Sequence, residues 1–154
     1  RAATRNRLNE VTKRVKAIAE GAALTTGAKV KITAFQSEVD NLLLNDRFNN
    51  IYREVIEELG ENVHLQKEGI GSTDAGNISQ VVPTIHPYIK IGPDHLVAHT
   101  DEFREAAASE RGDYALITGA KALALTALRL IVEPETLNEI KEEFQQRKAE
   151  EATK

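Results

Sequence analysis

The stretch Lys29-Val30-Lys31-Ile32-Thr33-Ala34-Phe35 decides how this chain is read. Val30, Ile32 and Ala34 fall on one face, and Lys29, Lys31 and Thr33 on the other. That period of two marks a strand with one wet face. Such a strand needs neighbours for its backbone groups, and the rest of the chain offers few. Ser79-Gln80-Val81-Val82 and Tyr88-Ile89-Lys90-Ile91 read as short strands, but Pro83 and Pro87 interrupt the region, and proline in a strand marks an edge or a break.

Helical patterns surround these runs. After Thr4, a candidate N-cap, Leu8, Val11, Val15, Ile18, Ala19 and Ala22 recur at steps of one, three and four, and Gly27 is the stop. This stripe suits a core face or a subunit interface equally well. Asn45 opens a second helix whose apolar positions are Phe48, Ile51, Tyr52, Val55, Ile56 and Leu59, ending at Gly60. Residues 61–78 read as loop. Thr100 caps a short helix with Asp101 and Glu102 in its first turn. Asp113 is the candidate cap of a longer helix, 114–132, apolar on most faces and therefore expected to be largely buried. Pro134 suits the first turn of a last helix with Leu137, Ile140 and Phe144 inward, and the polar tail is expected to fray. The expected fold class is α/β, in the order helix, strand, helix, broken strands, three helices, with strand partners supplied from outside the 154 residues.

Composition narrows the function classes. A length of 154 residues, 41% hydrophobic and 29% charged, is that of one ordinary globular domain. A net charge of -4 with dispersed Lys and Arg, and only 5% aromatics, gives no nucleic-acid surface. Cysteine is absent, so a metal would need His, Asp or Glu. This fits a cytoplasmic protein. No run is read as a membrane span, and the N-terminus is not a signal peptide. Methionine is absent too, even at position 1, which suggests a piece of a longer protein.

The chemistry-bearing residues gather in the middle of the chain. Gly71-Ser72-Thr73-Asp74-Ala75-Gly76-Asn77 has the composition of an Asx-type turn. It lacks the Gly-Lys-Ser/Thr ending of a phosphate loop and the Gly-x-Ser-x-Gly of a nucleophile elbow. His64, His86, His95 and His99 contain no His-x-His or His-Glu-x-x-His motif. Taken singly, each is ordinarily a surface or hydrogen-bonded structural residue. His95 and His99 would share a helix face only if Gly92 and Pro93 did not break that segment.

In order, the segments RVKAIAEGAALTTGAKVKI, GSTDAGNISQVVPTIHPYIKIG, AHTDEFREAA and AKALALTALRLI span nearly the whole chain. Together they resemble the C-terminal half of the zinc-dependent amidohydrolases of metallopeptidase family M-twenty. The closest likeness is to the amidohydrolase and dipeptidase branch that includes the β-alanyl-dipeptide type. The resemblance implies a two-domain zinc-hydrolase fold. Residues 1–43 would end an α+β lid or dimerisation domain, and residues 44–154 would be the returning part of the catalytic α/β domain. It implies one or two zinc ions, with His99 as the final metal ligand. Ser72, Thr73, Asp74 and His86 would stand behind the ligands or touch substrate; Asp101 and Glu102 remain helix-start residues. In the family, metal activates water toward an amide carbonyl and a carboxylate moves the proton. The base and the other ligands have no counterparts here.

The implied function is cleavage of the amide bond of an N-acyl amino acid or dipeptide by the longer parent, with this piece inactive alone. The implied partners are that small substrate, the missing N-terminal half, and a second copy through the lid, with neither nucleic acid nor membrane involved. The alternative is a non-catalytic dimerisation or binding module of the same ancestry. A small standalone α/β protein is weaker still, because strands are few.

Overall fold

A computed structural model describes residues 1–64 and 71–152, and among these there are six α-helices and no strand. They are α1 (Arg5–Thr26), α2 (Asp46–Glu58), α3 (Ala75–Ser79), α4 (Asp101–Ala107), α5 (Glu110–Val132) and α6 (Pro134–Ala152). The α/β expectation is therefore corrected to an all-helical arrangement.

Lys29–Phe35 runs without a ladder, with Val30 and Ile32 45% and 48% exposed. Alternation records which face of a chain could be buried. It does not supply the neighbour that makes a strand, and an extended segment alone is not stable as one. Val81 and Val82 lie in the turn after α3, and residues 88–91 run on without pairing. The expected α+β character of 1–43 and α/β character of 44–154 fall with these strands. The loop expected over 61–78 falls partly on 65–70, outside the described residues; within its described part, α3 begins at Ala75.

The helix starts follow local chemistry. Thr4 Oγ1 accepts from the Arg7 N–H, and Gly27 ends α1 in the left-handed conformation at φ 71°. Asn45 makes two bonds of different kinds. Its Oδ1 accepts from the Phe48 N–H at 2.9 Å as the cap of α2, and its Nδ2 donates to the Ile140 carbonyl at 2.8 Å. Glu143 of α6 accepts the Asp46 and Arg47 N–H groups, each at 2.8 Å, placing a carboxylate on the positive end of α2. The cap of α5 is Ser109, which accepts from the Gly112 N–H at 3.2 Å; Asp113 lies inside the first turn instead of capping it. Pro134 opens α6 as expected.

The core lies where α2, α5 and α6 meet. Tyr52, Val55 and Ile56 of α2 close on Ala122 of α5, with Leu59, Ile85 and Ile89 packed around them. Burial pushes the Tyr52 phenol up from its usual range. Ile140 and Phe144 are buried on α6, and Leu137 is half-buried. Across the top, Arg129 holds Glu54 at 2.8 Å and Glu58 at 2.9 Å.

Helix α5 departs from expectation. Its buried residues are small: Gly112, Ala115, Thr118, Ala122 and Thr126. Its large ones face out, with Leu116 70%, Ile131 77% and Val132 65% exposed. It packs on α2, α4 and α6, and among the described residues on no other helix. By length and composition α5 could also cross a membrane, contrary to the expectation that no run is apolar enough. Helix α1 has no buried residue and packs against none of the other helices. Its stripe, including Val15 at 58% and Ile18 at 71%, stands open.

Candidate functional site

The loop 71–77 begins as an exposed turn. Ser72 and Asp74 are exposed, and Thr73 is half-buried. Thr73 Oγ1 accepts from the Ala75 N–H at 3.3 Å, and the Thr73 carbonyl accepts from the Gly76 N–H at 3.0 Å. Asp74 stands at the start of α3 without capping it through its side chain. The Thr73 hydroxyl and carbonyl thus shape the turn itself.

His86 is exposed on an extended segment, and its ring lies 5.3 Å from that of Tyr88 at 46°. The two project to the same side because they are two residues apart.

His99 differs from the other histidines in its backbone. It is the one non-glycine residue with positive φ among the described residues, at 67°. The turn that holds it is closed by Thr100, whose Oγ1 donates to the Val97 carbonyl at 2.8 Å and accepts from the Phe103 N–H at 3.2 Å as the cap of α4. The left-handed region costs an ordinary L-residue about 1–2 kcal/mol, and histidine is found there more often than most. The imidazole is exposed.

Beside this turn lies an open cleft of about 670 Å³, lined by His95, Leu96, Thr100, Glu102, Glu105 and Ser109 among others. On its approach Lys90 pairs with Asp94 at 2.5 Å, and that hydrogen bond chiefly holds the Asp94 carboxyl below its usual range. None of Ser72, Thr73, Asp74, His86 and His99 lines this cleft.

Among the described residues no group of three His, Asp or Glu side chains could hold an ion. A catalytic zinc uses about three protein ligands, so these residues alone do not fit one.

A connected polar arrangement uses the residues just after those expected. Gly76, Asn77, Ser79 and Gln80 all face the segment 38–43. Asn77 bonds the Asp40 N–H and the Glu38 carbonyl, each at 3.0 Å. Ser79, fully buried, accepts the Leu43 N–H at 2.8 Å and donates to the Gly76 carbonyl at 2.6 Å. Gln80 Nε2 donates to the Asn41 carbonyl at 3.0 Å. In the sequence Gly76 reads as loop; only the structure shows it inside a helix, where the missing side chain lets the Asp40 backbone approach closely.

No protein-family model matches the chain. A Xaa-Arg dipeptidase of Homo sapiens is 38% identical to it over 98% of this chain. A Xaa-Arg dipeptidase of Mus musculus is 37% identical over 94%. The matched regions are 35% and 34% of those two proteins, so the chain spans about a third of the length of the curated relatives it matches. It is homologous to a portion of a dipeptidase.

Proposed function

We propose that this chain is the C-terminal portion of a metal-dependent amidohydrolase of the M-twenty type, whose full-length parent hydrolyses dipeptides or related N-acyl amino acids. Dipeptides ending in arginine are the first substrates to try, because both relatives are Xaa-Arg dipeptidases. The observation that carries the reading is 38% identity across nearly the entire chain to one third of a Xaa-Arg dipeptidase.

In this proposal His99 is one metal ligand, and the other ligands and the base lie in the parent outside these residues. The left-handed backbone at His99 supports the assignment, because strained positions concentrate where a side chain must be aimed. Ser72, Thr73, Asp74 and His86 contact substrate or steady the ligands. Residues 1–43 and 44–154 belong to two different parts of the parent, and the first part mediates any self-association. The parent works in the cytoplasm, on a small substrate, without nucleic acid or membrane.

The test is made in the full-length parent. Hydrolysis of an Ala-Arg dipeptide and bound zinc, by elemental analysis, are measured for the unaltered protein and for His99→Ala. The expected result is loss of both in the variant, with the isolated 154-residue chain inactive. Unaltered activity and metal content in His99→Ala would instead favour a non-catalytic binding or dimerisation module. Full activity of the isolated chain would remove the assignment of ligands to other residues.

A further inference from the structure

Helix α1 has no helix partner, and the bonds that tie its start to the rest of the chain converge on the segment 38–43. The chain leaves the helical body at 38–43, and Arg5 meets it there. The Arg5 N–H donates to Asn41 Oδ1 at 3.0 Å, and the Arg5 guanidinium pairs with Asp40 and with Glu38. The start of α1 and the segment 38–43 therefore form a two-chain neck.

The helical body grips that neck from two sides. From α3, the Asn77 carboxamide accepts the Asp40 N–H and donates to the Glu38 carbonyl. A C=O and the N–H two residues on in an extended chain are what the N–H and C=O of one residue in a parallel neighbouring strand would satisfy, so the side-chain amide stands in for a strand partner. Ser79 takes the Leu43 N–H, and Gln80 gives to the Asn41 carbonyl. From α6, Glu151 accepts from Asn41 Nδ2 at 2.5 Å and from Gln80 Nε2 at 3.3 Å, while Lys148 donates to the Gln80 carbonyl at 2.7 Å. Gly76 lets the two backbones meet.

We propose that Gly76–Gln80 is a clasp that fixes the direction of α1 relative to the helical body, with the Asn77 carboxamide as its hook. The clasp does not depend on the proposed activity. It gives the second half of the loop a mechanical role, because it sets where the open apolar stripe of α1 is presented. The bonds from Asn77, Ser79 and Gln80 to the segment 38–43 are between side chain and backbone, so single substitutions can release the clasp without unfolding the helices. Asn77→Asp keeps the shape and the acceptor, loses the donor, and sets a carboxylate against the Glu38 carbonyl.

The chain has no cysteine, so pairs of spin labels can be placed cleanly. Lys16→Cys on α1 with Lys141→Cys on α6 reports the angle, and Glu57→Cys on α2 with Lys141→Cys is the control within the body. Distances are measured by pulsed electron paramagnetic resonance on the 154-residue chain. The expected result is one narrow α1–α6 distance in the otherwise unaltered chain, lost as a single peak in Asn77→Ala and Asn77→Asp, with the α2–α6 distance unchanged. A broad α1–α6 distribution before any clasp substitution overturns the proposal. So does an unchanged distribution in both variants, or equal broadening of the control pair, which would mean loss of structure throughout. Should the Asn77 variants not fold, Gln80→Ala on a half-buried side chain must broaden the α1–α6 distance alone, and its failure to do so is equally fatal.

Discussion

Gly76 and Asp40 meet backbone to backbone: a Cβ added at Gly76 would lie 2.9 Å from the Asp40 carbonyl carbon and closer still to its oxygen. Neither atom is the end of a flexible side chain, so neither can swing away. Gly76→Ala should therefore destabilise the chain by about 3 kcal/mol, the upper part of the range for overpacking. Urea unfolding followed by circular dichroism measures it. A loss under about 0.5 kcal/mol, the level of an ordinary surface change, would show that the contact can open.

Glu61 and Arg111 give a pH dependence with a defined sign. The carboxylate accepts from the two terminal guanidinium nitrogens, at 3.0 and 2.8 Å, and Arg111 also stacks 4.9 Å over the Tyr114 ring. The Arg111 hydrogen bond holds the Glu61 carboxyl below its usual range in the folded chain. A group with a lowered folded pKa stabilises above its unfolded value, and that contribution disappears as pH falls through the folded value. Glu61→Gln should thus be less stable than the unaltered chain near neutrality, by about 0.5–1 kcal/mol for a pair in contact with water. The difference should shrink on acidification through the carboxylate range. A gap that stays constant would mean the charge contributes nothing.

Neighbouring positions on α5 should respond in opposite ways. Ala122 is fully buried and Leu123 is 55% exposed. Ala122→Leu should cost about 1–3 kcal/mol by overpacking. Leu123→Lys should change stability by no more than about 0.5 kcal/mol. Large open apolar areas bind hydrophobic dyes and favour association. Leu123→Lys combined with Ile131→Lys should lower dye fluorescence and sharpen the sedimentation profile of the 154-residue chain. Equal dye binding before and after would locate the exposed surface elsewhere.

His99 separates strain from role. Glycine relieves a φ of 67° and alanine does not. In the 154-residue chain His99→Gly should be more stable than His99→Ala by about 1 kcal/mol, in thermal unfolding. In the full-length parent both variants should lose zinc alike, because both lack the imidazole. A stable, zinc-replete His99→Gly parent would leave His99 as a turn residue only.

Much of the helical architecture is legible in single residues. Thr4, Asn45 and Thr100 sit at the helix starts that their hydroxyl and amide groups favour, Gly27 ends α1, and Ile140 and Phe144 point inward. These features are local: a cap is decided within four residues and a stripe within two turns. The start of α5 is less legible, because Asp113 and Ser109 both suit a cap. In the fold Ser109 is the cap, its hydroxyl accepting from the Gly112 N–H, and Gly112 passes close against the Ala106 and Ala107 carbonyls. The candidate site is legible as a region. Within it, residue type draws attention to Ser72, Thr73 and Asp74 ahead of Asn77 and Ser79, whose partners lie 36–39 positions away.

The sequence by itself determined five of the six helices among the described residues, most of their ends and the inward face of α6, because capping and periodicity act over a few residues; α3 begins inside the expected loop. Tertiary structure alone decided the rest. Lys29–Phe35 alternates like a strand, but pairing needs a neighbour, and none lies beside it among the described residues. Helix α5 is apolar on most faces, but burial needs a second surface, and only its small-residue face has one. Periodicity states what a segment could bury or pair; the fold supplies, or withholds, the surface that does it.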